Sequence, residues 1–81
     1  MLEKIEELSY KTLSEEEIAL LIGYDINKFK LKLSDPTTDE AIAYRKGRAK
    51  IKHDLMSNIV ELAKKGSPQA EQIVISKLSK E

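Results

Sequence analysis

At eighty-one residues the chain is one small domain, near the lower limit at which a core sustains itself. Aromatic residues make up only 5% of it and cysteine is absent, so the core must be aliphatic, and disulfides and thiolate metal sites are excluded. The formal net charge of +0 departs from the basic balance of an ordinary small DNA-binding domain, but it conceals a segregation.

Residues 1–44 carry five lysines against ten Asp or Glu, a balance of −5. Residues 45–65 carry seven Lys or Arg against Asp54 and Glu61, a balance of +5, and residues 66–81 are neutral. Segregated charge favours an anionic partner or head-to-tail contact between copies of the chain. The longest apolar run, Ile18 to Ile22, is far too short to cross a bilayer. Acidic Glu3, Glu6 and Glu7 argue against a secretory signal. The expectation is a cytoplasmic protein with no membrane partner.

Helical spacing runs through the whole chain, with no period-two alternation to suggest strands. Leu2, Ile5 and Leu8 suggest a first helix over roughly residues 2–10. Ser14 stands three residues before Glu17, the spacing of a capping box, and opens a second helix that runs to Ile22. Small Ala19 allows close approach of a neighbouring helix, and Gly23 supplies the positive φ that a sharp turn needs. Asp25 caps a third helix from Ile26 to about Leu33, with Phe29 and Leu33 on its apolar face. Ser34-Asp35-Pro36 then stops it.

Thr37 and Glu40 offer another capping box, and a long fourth helix follows to Lys65. Ala41, Tyr44, Ile51, Leu55, Ile59 and Leu62 paint one stripe along it, interrupted by Arg48. Gly47 lowers helix propensity by about 1 kcal/mol relative to Ala, which suggests that another backbone passes close by. A helix of this length reaches about 40 Å, longer than a compact globule of the same chain is wide. Gly66 ends it, Ser67-Pro68 restarts the chain, and a fifth helix places Ala70, Ile73, Val74 and Leu78 inward. A fourth helix that overhangs the first three implies a homo-oligomer through residues 44–78.

The expected architecture is all-α: an N-terminal three-helix helix-turn-helix bundle over residues 1–36, then a long helix and a short antiparallel helix forming a hairpin over residues 37–81, within a single compact domain. A helix-turn-helix places its second helix in a DNA major groove. Asn27 suits an adenine edge, Lys28 and Lys30 suit phosphate or guanine, and Lys32 reaches phosphate. Arg45, Arg48 and Lys52 share a face of the fourth helix that is able to grip phosphates or to pair with the acidic N-terminal half of this or a neighbouring copy. Against DNA, Glu15, Glu16 and Glu17 would meet phosphates unfavourably.

His53 beside Asp54 has no second ligand at helical spacing, so it reads as a surface residue with no metal. The hydroxyls of Ser14, Thr37 and Ser67 are explained as caps, which leaves no nucleophile with a base. No catalytic residue, cofactor or small-molecule substrate is expected, and the chain reads as a non-enzyme.

Two segments carry a family likeness, Ala43-Tyr44-Arg45-Lys46-Gly47-Arg48-Ala49 and Leu62-Ala63-Lys64-Lys65-Gly66-Ser67-Pro68-Gln69-Ala70. Together with the helix-turn-helix pattern they make the chain resemble short helical proteins of phages and mobile elements related to the phage terminase small subunit, in versions from gut Bacteroidetes. The likeness extends over residues 13–78. It implies a DNA-recognising adaptor whose N-terminal helix-turn-helix meets double-stranded DNA through Asn27, Lys28 and Lys30, and whose hairpin, Tyr44 through Leu62 with Ile73 through Leu78, assembles subunits. No obvious tail for a large terminase subunit is present. The alternative reading is a helical protein-interaction module that binds no nucleic acid.

Overall fold

The computed structural model describes residues 1–79. These form five helices and no strand: α1 (Leu2–Tyr10), α2 (Glu15–Ile22), α3 (Ile26–Ser34), α4 (Asp39–Lys64) and α5 (Pro68–Leu78). Contacts group the chain into two compact units, Met1–Ile51 and Lys52–Glu81, and their boundary falls inside α4. The punctuation Ser34-Asp35-Pro36, where the sequence suggested a division, lies within the first unit.

In the first unit the core is small and aliphatic around a single ring. Ile5, Leu8, Ile18, Ala19, Phe29 and Ala43 are buried, with Leu13, Ile22, Tyr24, Leu33 and Tyr44 packed partly buried against them. Four of the five helices thus contribute, each with a residue at helical spacing on its inner face.

The crossing of α1 with α4 is the tightest contact. A Cβ placed on Gly47 would lie 2.3 Å from the carbonyl oxygen of Glu6 and 2.9 Å from both the Cβ of Ser9 and the amide nitrogen of Tyr10. The backbone that a glycine in mid-helix implied is therefore α1. Ser9, fully buried, donates its hydroxyl to the carbonyl of Tyr44 at 2.5 Å. Outside that contact, Lys50 and Lys46 of α4 reach Glu6 of α1 at 2.5 and 3.8 Å.

Helix ends follow the local chemistry with one displacement. Ser14 and Glu17 form the reciprocal capping box, and the Asp25 carboxylate accepts the Lys28 amide at 2.9 Å. The start of α4 is shifted by one residue from the expected cap. Thr38, not Thr37, accepts the Ala41 amide at 3.1 Å. Thr37 instead donates to Asp35, closing a local Asx turn after the α3 stop. Glu40 turns away from the cap to accept the Tyr24 hydroxyl at 3.2 Å.

In the second unit α5 packs against the C-terminal part of α4. Gly66, at φ 93°, closes α4 with paired bonds from its own amide to Ala63 and from the Ser67 amide to Leu62. Ser67 then caps α5, with Pro68 at its first position. Ala70 is the one buried residue among 52–79, with Val74 half-buried. Ile73 and Leu78, expected to face inward, stay 42% and 65% exposed, and on α4 the stripe residues Leu55 and Leu62 stay 54% and 53% exposed. In the first unit α1, nine residues long, meets α4 from Tyr44 to Lys50, and in the second unit Met56, Ile59, Val60 and Ala63 of α4 are half-buried. Among the described residues no helix is long and apolar enough to cross a membrane.

Candidate nucleic-acid interface

The α2–α3 turn is built from three residues with separate roles. Gly23 adopts φ 75°, and the amides of Gly23 and Tyr24 return to the carbonyls of Leu20 and Ala19, which closes α2 as a left-handed glycine cap. Tyr24 lays its ring against Phe29, with centroids 5.5 Å apart, while its hydroxyl ties the turn to Glu40 on α4. Partial burial, followed by the Glu40 contact, raises the Tyr24 pKa above its ordinary value. Asp25 then caps α3, so its carboxylate is occupied by the Lys28 amide.

Phe29, fully buried, and half-buried Leu33 anchor the inner side of α3. The far end of α3 is held by Thr38, whose hydroxyl donates to the Lys32 carbonyl at 2.6 Å. With that anchoring, Asn27, Lys28, Lys30 and Lys32 are all exposed. They are not equivalent. Lys30 reaches back to Glu16 on α2 at 2.7 Å, and this hydrogen bond raises the Lys30 pKa and lowers that of Glu16. The side chains of Asn27 and Lys28 have no intramolecular partner among the described residues, while Lys32 is near enough to Asp35 to help lower that carboxyl's pKa. Lys30 braces the helix pair, and the outward-facing cations of α3 are Lys28 and Lys32.

The same contacts change the electrostatics of the α2 start. Of the three glutamates there, Glu16 is neutralised by Lys30, and Glu17 accepts the Ser14 amide, which lowers its pKa. Glu15 is half-buried. The acidic run is thus partly compensated before any ligand arrives.

On α4 the three candidate cations separate. Arg45 is exposed. Arg48 is half-buried and turned inward: its guanidinium donates to the carbonyl of Leu13 in the α1–α2 loop and, at 3.0 Å, to the Tyr44 hydroxyl, and it lies 5.0 Å from the centre of the Tyr44 ring. Both bonds come from Nη2, while the buried Nε has no hydrogen-bond partner among the described residues. Arg48 thus does not share an outward face with Arg45, and among the described residues no acidic side chain pairs with it. Lys52, the first residue of the second unit, is exposed. Of the remaining basic cluster, Lys46 and Lys50 pair with Glu6, the intramolecular pairing of opposite halves that the charge segregation suggested.

One outward residue of α3 escaped the reading of the sequence. Leu31 is 71% exposed, four residues after Asn27 and therefore on the same stripe. The signal was available, since Leu31 falls opposite Phe29 on a helical wheel, but an apolar residue among lysines reads as core until the inner face is known. Leu20 and Leu21 of α2 are likewise exposed, at 77% and 61%.

Compared with known proteins, the chain matches no family model, no curated protein and no solved structure.

Proposed function

We propose that the chain is a non-enzymatic DNA-binding helix-turn-helix protein that presents α3 to the major groove of double-stranded DNA, as an adaptor or regulator of a phage or mobile element in the manner of a terminase small subunit. The observation that supports this reading is the state of α3. The helix is locked by Phe29, Tyr24, Asp25 and Thr38, yet Asn27 and Lys28 remain exposed and unengaged and Lys32 is exposed beside them. A rigid helix with an amide near its N-terminus and cations beside it is what groove reading requires. Within this reading Lys30 and Arg48 brace the module, and Arg45 and Lys52 are accessory phosphate contacts.

A salt titration of binding to random-sequence duplex DNA tests the proposal. Genuine phosphate contacts make log affinity fall with log salt at about 0.9 per phosphate neutralised. Lys28→Glu combined with Lys32→Glu abolishes binding while helicity is retained. No binding by the unaltered chain at low ionic strength rejects the proposal.

A second property rests on a separate observation. The second unit buries only Ala70 among its described residues and leaves Leu55, Leu62, Ile73, Ile75 and Leu78 exposed. Leu55, Ile59 and Leu62 follow one another at spacings of four and three, the seam spacing of packed helices. Self-association through this hairpin, in place of the wider 44–78 surface, fits these exposures, because α1 already covers α4 as far as Lys50. Sedimentation equilibrium gives a dimer or larger assembly on this reading, and a strict monomer at high concentration removes it. A protein-interaction module without DNA remains the rival, favoured by exposed Leu20 and Leu21, and the salt titration decides between the two.

A further inference from the structure

We infer that α3 reads an A·T-containing step, with Asn27 on adenine and Leu31 against a thymine methyl group one or two base pairs away. The inference rests on the DNA-binding reading and adds to it the base class that the helix selects.

Asn27 is the second residue of α3, in the first turn, where a groove-bound helix approaches base edges. Its amide is exposed and without an intramolecular partner, so both its carbonyl oxygen and its NH2 are available. In the major groove adenine offers N6–H as donor and N7 as acceptor, and an asparagine amide matches both at once: its oxygen accepts from N6–H and its nitrogen donates to N7. Cytosine would be read by a carboxylate, and the nearest one, Asp25, is occupied capping the helix. α3 carries no arginine, the side chain that most often reads guanine by a two-pronged contact.

Leu31 supplies the other half. Four residues at about 1.5 Å each put it roughly 6 Å further along the helix, the length of about two base-pair steps. Helical side chains lean toward the N-terminus, so Leu31 leans toward Asn27 and the two form one stripe. Only thymine presents a methyl group in the major groove, and an apolar side chain discriminates it by burying that methyl. Within the fold Leu31 has no packing role, since Phe29 and Leu33 hold the inner face. Lys28 flanks the stripe as a cation free to meet the phosphate backbone.

The test uses the full chain and fluorescence anisotropy at one fixed salt concentration, with three duplexes of equal length. One is A·T-rich, one contains only G·C pairs, and the third is the A·T-rich duplex with deoxyuridine in place of every thymidine, which removes the C5 methyl alone. The A·T-rich duplex binds about 10-fold or more tightly than the G·C duplex, and the uracil duplex binds about 3- to 10-fold more weakly than its thymine parent. Leu31→Ala makes the chain indifferent to the thymine-to-uracil exchange, and Asn27→Ala reduces the A·T over G·C ratio. Both residues are exposed, and unchanged circular dichroism verifies that the variants fold. Binding that is equal for thymine and uracil duplexes, or for A·T and G·C duplexes, overturns the inference while leaving DNA binding intact. Absence of binding to all three at low salt overturns both.

Discussion

Gly47 of α4 faces Ser9 of α1 so closely that the backbones of the two helices touch, and the Ser9 hydroxyl bonds to the α4 carbonyl one turn earlier, at Tyr44. Gly47→Ala therefore sets two effects against each other. Alanine gains about 1 kcal/mol in helix propensity. It also drives a methyl group to 2.3 Å from the Glu6 carbonyl oxygen, a backbone atom that moves only with α1. Overpacking of that kind costs about 1–3 kcal/mol and wins. Urea unfolding followed by circular dichroism will show a lowered midpoint, and a raised midpoint would refute the close crossing.

Thr12 predicts the opposite outcome. Among the described residues it is the one non-glycine with positive φ, at 65°, and it closes α1 by the same paired bonds that Gly23 and Gly66 provide for α2 and α4. A β-branched side chain in the left-handed region is strained by about 1 kcal/mol or more. Thr12→Gly relieves it and raises the unfolding midpoint. Gly23→Ala lowers stability by about 1 kcal/mol, and with it the midpoint, through φ alone, since nothing stands within 4 Å of its added Cβ.

Arg48 and Lys28 are both cations of the proposed module, and a salt titration separates their roles. Arg48→Met leaves the Leu13 carbonyl and the Tyr44 hydroxyl without their donor, and lowers stability by about 1–2 kcal/mol. Once the variant is folded, its salt slope for duplex DNA is unchanged. Lys28→Ala leaves stability within about 0.5 kcal/mol and reduces the slope by roughly 1. The reverse pattern would place Arg48, not Lys28, on the phosphates.

Acid is the third lever on stability. Glu6, Glu7, Glu16, Glu17 and Asp35 all have carboxyl pKa values held below their ordinary range, by Lys50, Lys4, Lys30, the Ser14 amide and the Thr37 hydroxyl respectively as the leading causes. The folded state thus binds fewer protons than the unfolded state in the acid range, so stability rises with pH there. The contribution is fully present above the unfolded carboxylate values, about pH 4, and is lost as pH falls through the lower folded values. Thermal unfolding at stepped pH will show a flat plateau near neutrality and a declining acid limb. Glu6→Gln makes that limb shallower, and added salt weakens the share due to lysines but not the share due to the Ser14 amide.

Phe29→Leu tests the core. The ring is fully buried and supports both Tyr24 and the α3 orientation. Exchange for a smaller apolar side chain costs about 1–2 kcal/mol, a large fraction of the stability of so small a core. Loss of duplex binding together with the lowered midpoint is expected, because the turn loses its ring contact.

Local chemistry was legible in the sequence. The five helices, the Ser14–Glu17 box, the Asp25 and Ser67 caps and the glycine turns follow from residues that interact within one helical turn of themselves, and such interactions need no partner from elsewhere in the chain. The close backbone at Gly47 was legible as well, since a glycine in mid-helix is otherwise unfavourable. Only the tertiary structure decided which cations stay free. Lys30, Lys46, Lys50 and Arg48 look like Lys28 in the sequence, but each meets an acceptor fourteen to forty-four residues away, at Glu16, Glu6 or Leu13. It also decided which leucines face water, because a helix stripe of period 3.6 names a face without saying how far its neighbour extends. Along the α4 stripe Tyr44, Ile51 and Ile59 are half-buried while Leu55 and Leu62 face water, a division that the spacing alone does not give.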